Sequence, residues 1–569
     1  MFSFDQFESP RQVRLTRRGF WLIGLVSGAV MLYTGRFFIN SDAMIYLEMA
    51  EAFRAGELSG LVNYTFSPLY PILLSLAQAV LNPPPSEELV VMKVVGYFGF
   101  VAAMFSCDVF VSTVLGGLPR ETHEKGRTLP AGAFMCLSYG MFLTASLVLI
   151  RIRLMNPDML VLAAALACAT VIERIRQGHA GHLDYASLGM FAGLGYLAKA
   201  FFMLYSAALA IVSAMVGADF RKSVSRALLA AVVMAAVSAP LVAALSLGKG
   251  GFTYGEGGRH IFAVDIGGEG EPVRKPEQIH SNPRVAVYRL DLPFTLPHAH
   301  DCCYWTIGLR PKLELTTYAG FIAGNLVAIF TQMPWLGFVV LWGALQPKFG
   351  FVRFGPVVPL SCASALILQG LAGLGLFSLI RMEPRYVAPF LLLAFVGFLS
   401  GLRYKVTDSK TESPILVGVV VLTTLFAGIL VHSMIDQSLR GLCFYENKPS
   451  YKEAYIEHGM VSTYLTDVGL QPGDPVVVLG DFPTNWGRMA GVKIIGRFED
   501  PQEFFSANRE RRKEALEAIG NAGFKAVVGK GNGFKDAKDE GWKLVPGTRD
   551  YYVLLPGRDG KLRGGPSEP

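Results

Sequence analysis

The stretch Asn40-Ser41-Asp42-Ala43-Met44-Ile45-Tyr46-Leu47-Glu48-Met49-Ala50 decides the fold of this chain. It follows an apolar segment from Gly19 to Phe38, which is long enough to cross the hydrocarbon core of a bilayer as a helix. Apolar residues then recur at helical spacing after Asp42, which predicts an amphipathic helix lying at the membrane surface. An acidic residue therefore stands where a predicted membrane span emerges.

The composition is that of a protein mostly embedded in lipid. The chain has 569 residues, of which 52% are hydrophobic and only 17% charged, whereas about a quarter of the residues of a soluble protein are charged. Its mean hydropathy is +0.39. We count about eleven apolar runs of spanning length. They are centred near Leu25, Phe100, Leu137, Leu166, Leu188, Ala207, Val233, Val339, Ile367, Leu393 and Leu422.

Basic residues in the short loops predict the orientation. If the N-terminal tail is cytoplasmic, every second loop is also cytoplasmic, and each of these loops is basic. Their Lys and Arg residues are Arg120, Lys125, Arg127, Arg174, Arg176, Arg221, Lys222, Arg226, Lys348, Arg353, Arg403, Lys405 and Lys410. These loops largely explain the net charge of +7, which is therefore no argument for nucleic acid binding. With eleven spans, the C-terminus lies outside.

Two domains are expected. Residues 1–433 form the membrane domain, with large outer loops at 39–88 and 248–312. Residues 434–569 read as short strands and an amphipathic helix, which predicts a small α/β domain on the outer side. The fold class is thus mostly α, a polytopic membrane protein with a C-terminal extracytoplasmic α/β domain.

Two carboxylates stand at the outer ends of predicted spans. Asp42 either caps the helix that it begins or acts as a general base at the membrane surface. Asp158, after Asn156-Pro157, either caps the next span or positions a substrate or a metal ion. Tyr46, one turn after Asp42, lies on the same side of the helix and is a candidate for orienting a substrate.

Basic residues on the same side are the natural complement of a phosphate leaving group. Lys199 interrupts an apolar stretch, where a charged group is costly and is either functional or snorkels to the interface. The other candidates are Arg151, Arg153, Arg381 and Arg385. Arg385 with Tyr386 also fits an interfacial anchor.

A divalent metal ion is the only cofactor that the sequence leaves open. Pro297-His298-Ala299-His300-Asp301 holds two histidines and an aspartate, but this triplet alone is a weak metal-binding signal and equally fits a solvated loop. The seven cysteines show no CxxC spacing. The sequence therefore assigns no metal ligands.

Taken together, these residues resemble the GT-C membrane glycosyltransferases, and within them the branch of protein O-mannosyltransferases and lipid A aminoarabinose transferases. The resemblance spans roughly residues 15–435 and rests on the order and spacing of short motifs. They are Asp42 with Tyr46, Pro68-Leu69-Tyr70-Pro71, Asn156-Pro157-Asp158, Leu197-Ala198-Lys199 and Glu383-Pro384-Arg385-Tyr386.

The resemblance implies a GT-C fold in the bacterial inner membrane with a periplasmic C-terminal domain. It implies a polyprenyl-phosphate-sugar donor, a lipid, glycan or protein acceptor, and inverting transfer with Asp42 as base. The substrate would be bound by Tyr46, Tyr64, Tyr70, Arg151, Arg153, Asp158, Lys199, Glu383, Arg385 and Tyr386. Many members of this branch have an Asp-Glu pair where this chain has Asp42-Ala43, so this chain lacks the second carboxylate of that pair.

Two alternatives of other classes remain open. A transporter or flippase of glycolipids would line a path at the bilayer midplane with charge, whereas here the charges cluster at the outer ends of spans. A non-catalytic envelope assembly factor would use the α/β domain for binding, which leaves Asp42, Asp158 and Lys199 unexplained.

Overall fold

The computed structural model describes residues 9–118, 128–290, 294–332, 349–351, 359–404, 409–443, 448–480, 484–531, 533–534 and 540–555. The helices of the membrane part are α1 Pro10–Gly35, α2 Ser41–Arg54, α3 Leu69–Leu81, α4 Pro85–Gly116, α5 Ala131–Leu143, α6 Asp158–Arg176, α7 His182–Ala198, α8 Phe202–Val216 and α9 Phe220–Lys249. The outer loop and the second half of the bundle add α10 Gly257–Asp265, α11 Pro297–His300, α12 Leu315–Gln332, α13 Cys362–Ser378, α14 Pro384–Gly401 and α15 Ser409–Leu442.

The C-terminal part contains α16 Tyr451–Asp467, α17 Asn485–Ala490, α18 Pro501–Ser506 and α19 Arg509–Asn521. Its strands, with those of the outer loop, are β1 Gly268–Glu269, β2 Glu277–Ser281, β3 Arg284–Val287, β4 Arg310–Pro311, β5 Phe349–Phe351, β6 Leu402–Tyr404, β7 Pro475–Leu479, β8 Lys493–Phe498, β9 Ala526–Lys530, β10 Lys543–Leu544 and β11 Tyr551–Leu554.

Among the described residues, six helices are long and apolar enough to cross a membrane: Pro10–Gly35, Pro85–Gly116, Ala131–Ile150, Phe220–Lys249, Pro384–Gly401 and Leu416–Leu442. Four other predicted spans are also helices, α6, α7, α8 and α13, but they are shorter or carry more charge. The span predicted near Val339 lies outside the described residues. The multi-pass helical architecture is confirmed, and the count of eleven stays a prediction.

The predicted α/β domain is present as the greater part of a seven-stranded sheet with the order β10-β11-β9-β7-β8-β3-β2. β7 pairs in parallel with both β8 and β9. The helix expected between β8 and β9 is divided in two, because Asn508 accepts a hydrogen bond from the amide of Arg511 and starts α19 anew.

The division of the chain into two domains needs one correction. β2 and β3 come from the outer loop of residues 248–312, yet they complete the sheet of the C-terminal domain, with β3 antiparallel to β8. Residues opposite each other in this pair, such as Ala286 and Arg497, are far apart in the sequence. The outer loop therefore belongs to both domains.

Helix α2 is enclosed rather than lying free at a surface. Every residue from Ala43 to Ala50 is buried. One apolar cluster joins α2, α3 and α4 to residues of the C-terminal domain such as Val461 and Trp486. The helix that carries Asp42 is thus held between the bundle and the sheet domain.

Candidate active site

A cavity of about 420 Å³ lies where the predicted motifs meet. Its walls come from the start of α2, the turn before α6, the junction of α7 and α8, the end of α9 with the outer loop, and the start of α14. The predicted site residues that line it are Asp42, Tyr46, Asp158, Lys199, Arg385 and Tyr386. Six positions scattered over more than 300 residues of sequence therefore share one cavity.

A reciprocal pair of hydrogen bonds brings the two aspartate motifs together. The side chain of Asn40 donates from Nδ2 to the carbonyl of Met155 (3.4 Å) and accepts at Oδ1 from the amide of the same residue (3.3 Å). Asn156 accepts from the amide of Asp158 (3.2 Å) and so shapes the first turn of α6. Neither Asn40 nor Asn156 was among the predicted site residues, although Asn156 belongs to one of the motifs and Asn40 stands two positions before Asp42.

Asp158 and Lys199 form a close ion pair. The ammonium group of Lys199 donates to Oδ1 of Asp158 at 2.7 Å, and the Asp158 side chain is 3% exposed. The same ammonium lies 3.6 Å from the ring centre of Tyr386, a cation–π contact. Since the Lys199 side chain is still 26% exposed toward the cavity, its charge remains accessible to a bound anion.

Arg385 connects Asp42 to the ion pair of Asp158 and Lys199. Its NH1 lies 3.7 Å from Oδ2 of Asp42 and 3.9 Å from Oδ2 of Asp158. Its Nε donates to Glu383 at 2.8 Å, and its NH2 donates to the hydroxyl of Tyr386 at 3.0 Å. Glu383 is thus a residue that orients Arg385.

The pKa of Asp42 is raised above its usual range, because burial disfavours the charged carboxylate. The positive charges of Arg385 and Lys199 oppose this effect, while Asp158 and Glu383 add to it. A carboxylate with a raised pKa holds a proton more readily, which suits it to accept one during a reaction near neutral pH.

The predicted tyrosines take different places. Tyr46 lines the cavity and packs edge-on against Phe66 and Tyr70, with ring centres 5.1 and 5.2 Å away. Tyr70 is 1% exposed and supports Tyr46 from behind. Tyr64 is also behind the wall, since its amide donates to Asp301 (2.6 Å) while its neighbours Thr65 to Ser67 line the cavity.

Arg151 and Arg153 do not line the cavity. Arg153 lies over the ring of Phe38 (5.0 Å) and that of Tyr451 (5.6 Å). Arg151 is exposed, and its Nε donates to the carbonyl of Val148 (3.3 Å). The geometry therefore does not support their predicted contact with the donor phosphate, because neither residue is among those that line the cavity.

The outer loop contributes a charged group that the sequence reasoning missed. Lys249, Glu256 and Arg259 line the opposite wall of the cavity. Glu256 is ion-paired with Lys249, accepts from the hydroxyl of Thr253 (2.6 Å) and lies 3.9 Å from Arg259. The available signal was a glycine-rich run with interspersed charge, from Gly248 to Gly258, in a loop long enough to be functional.

The segment His298-Ala299-His300-Asp301 of the outer loop attaches this loop to residues 64 and 65 through Asp301. Asp301 accepts from the amides of Tyr64 (2.6 Å) and Cys303 (3.1 Å) and from the hydroxyl of Thr65 (2.9 Å). His300 stacks on Phe294, and burial lowers its pKa to about 3, so it is neutral. The side chain of His298 lies outside the described residues. Over the part of the chain that the structure describes, no group of three or more His, Cys, Asp or Glu residues could hold a metal ion.

Comparison with solved structures identifies the fold. The crystal structure of ArnT from Cupriavidus metallidurans in the apo state matches with a TM-score of 0.55, at 12% sequence identity, over 96% of this chain and 99% of that chain. The fold is that of ArnT. The same protein bound to undecaprenyl phosphate matches over the same shares of both chains, with a TM-score of 0.52 and 12% identity.

This match confirms the fold that the motifs predict for roughly residues 15–435, and it also extends over the C-terminal sheet domain. At 12% identity, the likeness to ArnT establishes the fold alone. No protein-family model matches the sequence, and no curated protein is detectably similar to it. What this cavity does must therefore be argued from its own residues.

Proposed function

We propose that this protein is a membrane glycosyltransferase that moves a hexose or pentose from a polyprenyl-phosphate donor to an acceptor hydroxyl on the outer side of the membrane. The main support for this proposal is that Oδ2 of Asp42 and NH1 of Arg385 lie 3.7 Å apart in the wall of one cavity. A base and a cation in one cavity are what transfer of a sugar from phosphate to a hydroxyl requires.

In the proposed reaction, the acceptor oxygen attacks the anomeric carbon of the sugar. The bond from that carbon to the phosphate oxygen breaks, polyprenyl phosphate leaves, and Asp42 takes the proton of the attacking hydroxyl. Attack from the face opposite the leaving phosphate inverts the anomeric carbon. The raised pKa of Asp42 supports its role as the proton acceptor.

The leaving phosphate needs positive charge that it can reach. Arg385 offers a guanidinium whose orientation is fixed by Glu383 and Tyr386. Lys199 is held in place by Asp158 and keeps part of its surface in the cavity. Because both cations are already oriented, they stabilise the developing negative charge without reorganising at the moment of reaction.

The similarity to ArnT supports the donor class. One of the matched structures holds undecaprenyl phosphate, and this chain has the same fold. An apolar side of the cavity, with Phe201, Phe377 and Leu204, offers a surface for the first isoprene units of such a lipid. The proposed acceptor is a lipid, glycan or protein hydroxyl, and the proposed location is the inner membrane with the C-terminal domain in the periplasm.

The test is donor turnover by the purified protein in lipid nanodiscs. A panel of polyprenyl-phosphate sugars is supplied with candidate acceptor lipids, and release of free polyprenyl phosphate is measured. We expect release for one donor class, and a fall of at least about 100-fold in Asp42→Asn. Glu57→Gln is the matched control, because Glu57 is an exposed acidic residue shortly after the same helix.

Release that is unchanged in Asp42→Asn would remove Asp42 from the role of base. Transbilayer movement of the labelled lipid without cleavage would favour the flippase alternative. Absence of both cleavage and movement, with the protein folded and every acceptor class supplied, would favour an assembly factor.

A further inference from the structure

Arg151 and Arg153 have no place in the proposed reaction, so their surroundings need another explanation. They lie in the turn after the π-helical end of α5, Thr144–Ile150, on the side where α1 ends. A Cβ atom placed on Gly35, the last residue of α1, would lie only 2.6 Å from the Cβ of Arg153. The turn is thus packed directly on the outer end of α1.

Arg36 adds a third guanidinium to this end. It follows α1 directly and stacks over the rings of Tyr33 (3.8 Å) and Phe37 (4.5 Å). Arg153 stacks over the next ring, Phe38. The guanidinium groups of Arg36 and Arg153 therefore stack on the consecutive residues Phe37 and Phe38. The ring of Tyr33 is exposed. Aromatic residues beside arginines at the end of a span are typical of the headgroup level of a membrane.

Among the described residues, none of these three arginines forms an ion pair with a carboxylate. The Nε of Arg153 is buried and has no hydrogen-bond partner among the described residues. The nearby carboxylate of Asp436 already accepts from Nε of Arg440 at 2.9 and 3.0 Å. Burial, aided by the charges of Arg151 and Arg440, lowers the pKa of Arg153. An anion placed here would relieve that unfavourable electrostatic energy.

Arg151 is also held in an unfavourable backbone conformation. Its φ is +68° with ψ 103°, a region that costs a non-glycine residue about 1 to 3 kcal/mol. The side chain nonetheless remains an arginine that is exposed to solvent. Glycine would occupy this position without strain, so the backbone conformation by itself does not favour an arginine here.

We propose that Arg36, Arg151 and Arg153 form a binding site for the phosphate headgroup of an anionic membrane lipid, outside the catalytic cavity and in the leaflet that faces the C-terminal domain. Guanidinium groups bind phosphate oxygens by paired, charge-assisted hydrogen bonds. Basic groups at a membrane surface attract anionic lipids over zwitterionic ones. The site would hold such a lipid against the outer end of α1.

The experiment uses the full-length protein in detergent with a photoreactive phosphatidylglycerol whose reactive group is next to the headgroup. After illumination, the labelled peptides are mapped by mass spectrometry. We expect label in residues 31–38 and 148–155. Unlabelled phosphatidylglycerol should compete at least ten times better than phosphatidylcholine, and inorganic phosphate should compete weakly.

Arg36→Gln/Arg151→Gln should abolish this labelling. Arg14→Gln/Arg18→Gln removes the same charge from exposed residues at the opposite end of α1 and should leave it unchanged. Arg151→Gly provides a variant relieved of strain, which should be at least as stable as the wild type yet label several-fold less. Equal competition by phosphatidylcholine, or labelling that persists in Arg36→Gln/Arg151→Gln, would overturn the proposal. Equal competition by inorganic phosphate would assign the site to a free anion instead of a lipid.

Discussion

Arg385 is the residue at which the charges of the cavity meet. It lies within 4.0 Å of Asp42, Asp158 and Glu383 at once. Removing one partner therefore changes the charge seen by the others, and the ionisation of Asp42 depends on its neighbours. The residues of this cavity must be tested in combination.

The acid limb of the pH–rate profile should shift in opposite directions in two variants. Asp42 must be ionised to accept a proton, so activity falls as the pH drops through its pKa. Glu383→Gln removes a nearby negative charge and should move this limb to lower pH. Arg385→Gln removes a positive charge and should move it to higher pH, with kcat/KM reduced about 100-fold. Limbs that stay in place in both variants would show that another group titrates.

Asp158 and Lys199 should behave as a coupled pair. Lys199→Gln leaves the buried carboxylate of Asp158 without its close partner, so we expect a loss of about 2 kcal/mol in the free energy of unfolding. Asp158→Asn/Lys199→Gln should regain most of that stability while transfer activity remains low. Thermal unfolding in detergent together with the turnover assay measures both quantities.

The control for this pair is Lys222→Gln. It breaks an exposed Lys–Asp pair with Asp219 and should change stability by less than about 0.5 kcal/mol. Full activity in the double variant would contradict a role for Lys199 in the reaction.

The charged residues of the cavity could be predicted from the sequence where they stand beside or within an apolar run. Asp42 and Asp158 were found because each stands at the end of an apolar run, and Lys199 because it interrupts one. Lys249 and Arg259 were missed because their loop has no periodicity, and only the folded loop brings them to the cavity wall. Arg151 and Arg153 were predicted from their positive charge at the outer end of a span, which does not reveal whether a side chain reaches the cavity.

At the scale of elements, the outer loop is the feature that sequence patterns describe least well. Its strands β2 and β3 are short, and their partner β8 lies about 200 residues further along the chain. Asp301 holds the loop to residues 64 and 65, again across more than 200 positions. Such long-range contacts leave no local signature, whereas the helices and the strands β7, β8 and β9 follow from periodicity and turns.

Asp301→Asn should loosen the cavity wall. The amide group of asparagine presents N–H groups where Asp301 accepts from three peptide amides and a hydroxyl, so part of these bonds is lost. We expect faster hydrogen exchange in residues 63–67 and 301–306, measured by mass spectrometry. Glu269→Gln, at an exposed position of β1 in the same loop, should leave the exchange rates there unchanged. Equal protection in Asp301→Asn would mean that the loop is held by other contacts.

At the scale of the whole molecule, Arg488 is one of the residues that anchor the C-terminal domain on α2 and α4. Arg488 of α17 donates to Glu88 at 2.7 and 3.0 Å and to Glu51 at 2.9 Å, and its side chain is 9% exposed. Glu48 of the same α2 accepts from the amide of Thr295 (3.0 Å) in the outer loop. The helix that carries Asp42 is therefore tied to the bundle, the loop and the sheet domain together.

Arg488→Met should weaken this anchoring. It leaves the largely buried carboxylate of Glu88 with the hydrogen bond from Gln78 (2.7 Å) but without its charged partner, at a cost of about 3 kcal/mol. We expect a lower unfolding temperature in detergent and reduced transfer activity, since α2 loses one of its supports. Lys513→Met, which removes a charge that is 73% exposed on α19, is the control and should alter neither. An unchanged unfolding temperature in Arg488→Met would show that the other contacts between the domains hold them together without Arg488.

The shared sheet has a consequence for the synthesis of the chain. β3 leaves the ribosome about 200 residues before β8, its partner, which at about 5 to 20 residues per second is a delay of roughly 10 to 40 s. During that time, the loop that carries Lys249 and Arg259 has no sheet to join. A growing chain therefore completes this wall of the cavity only after the C-terminal sheet that receives β3 has formed.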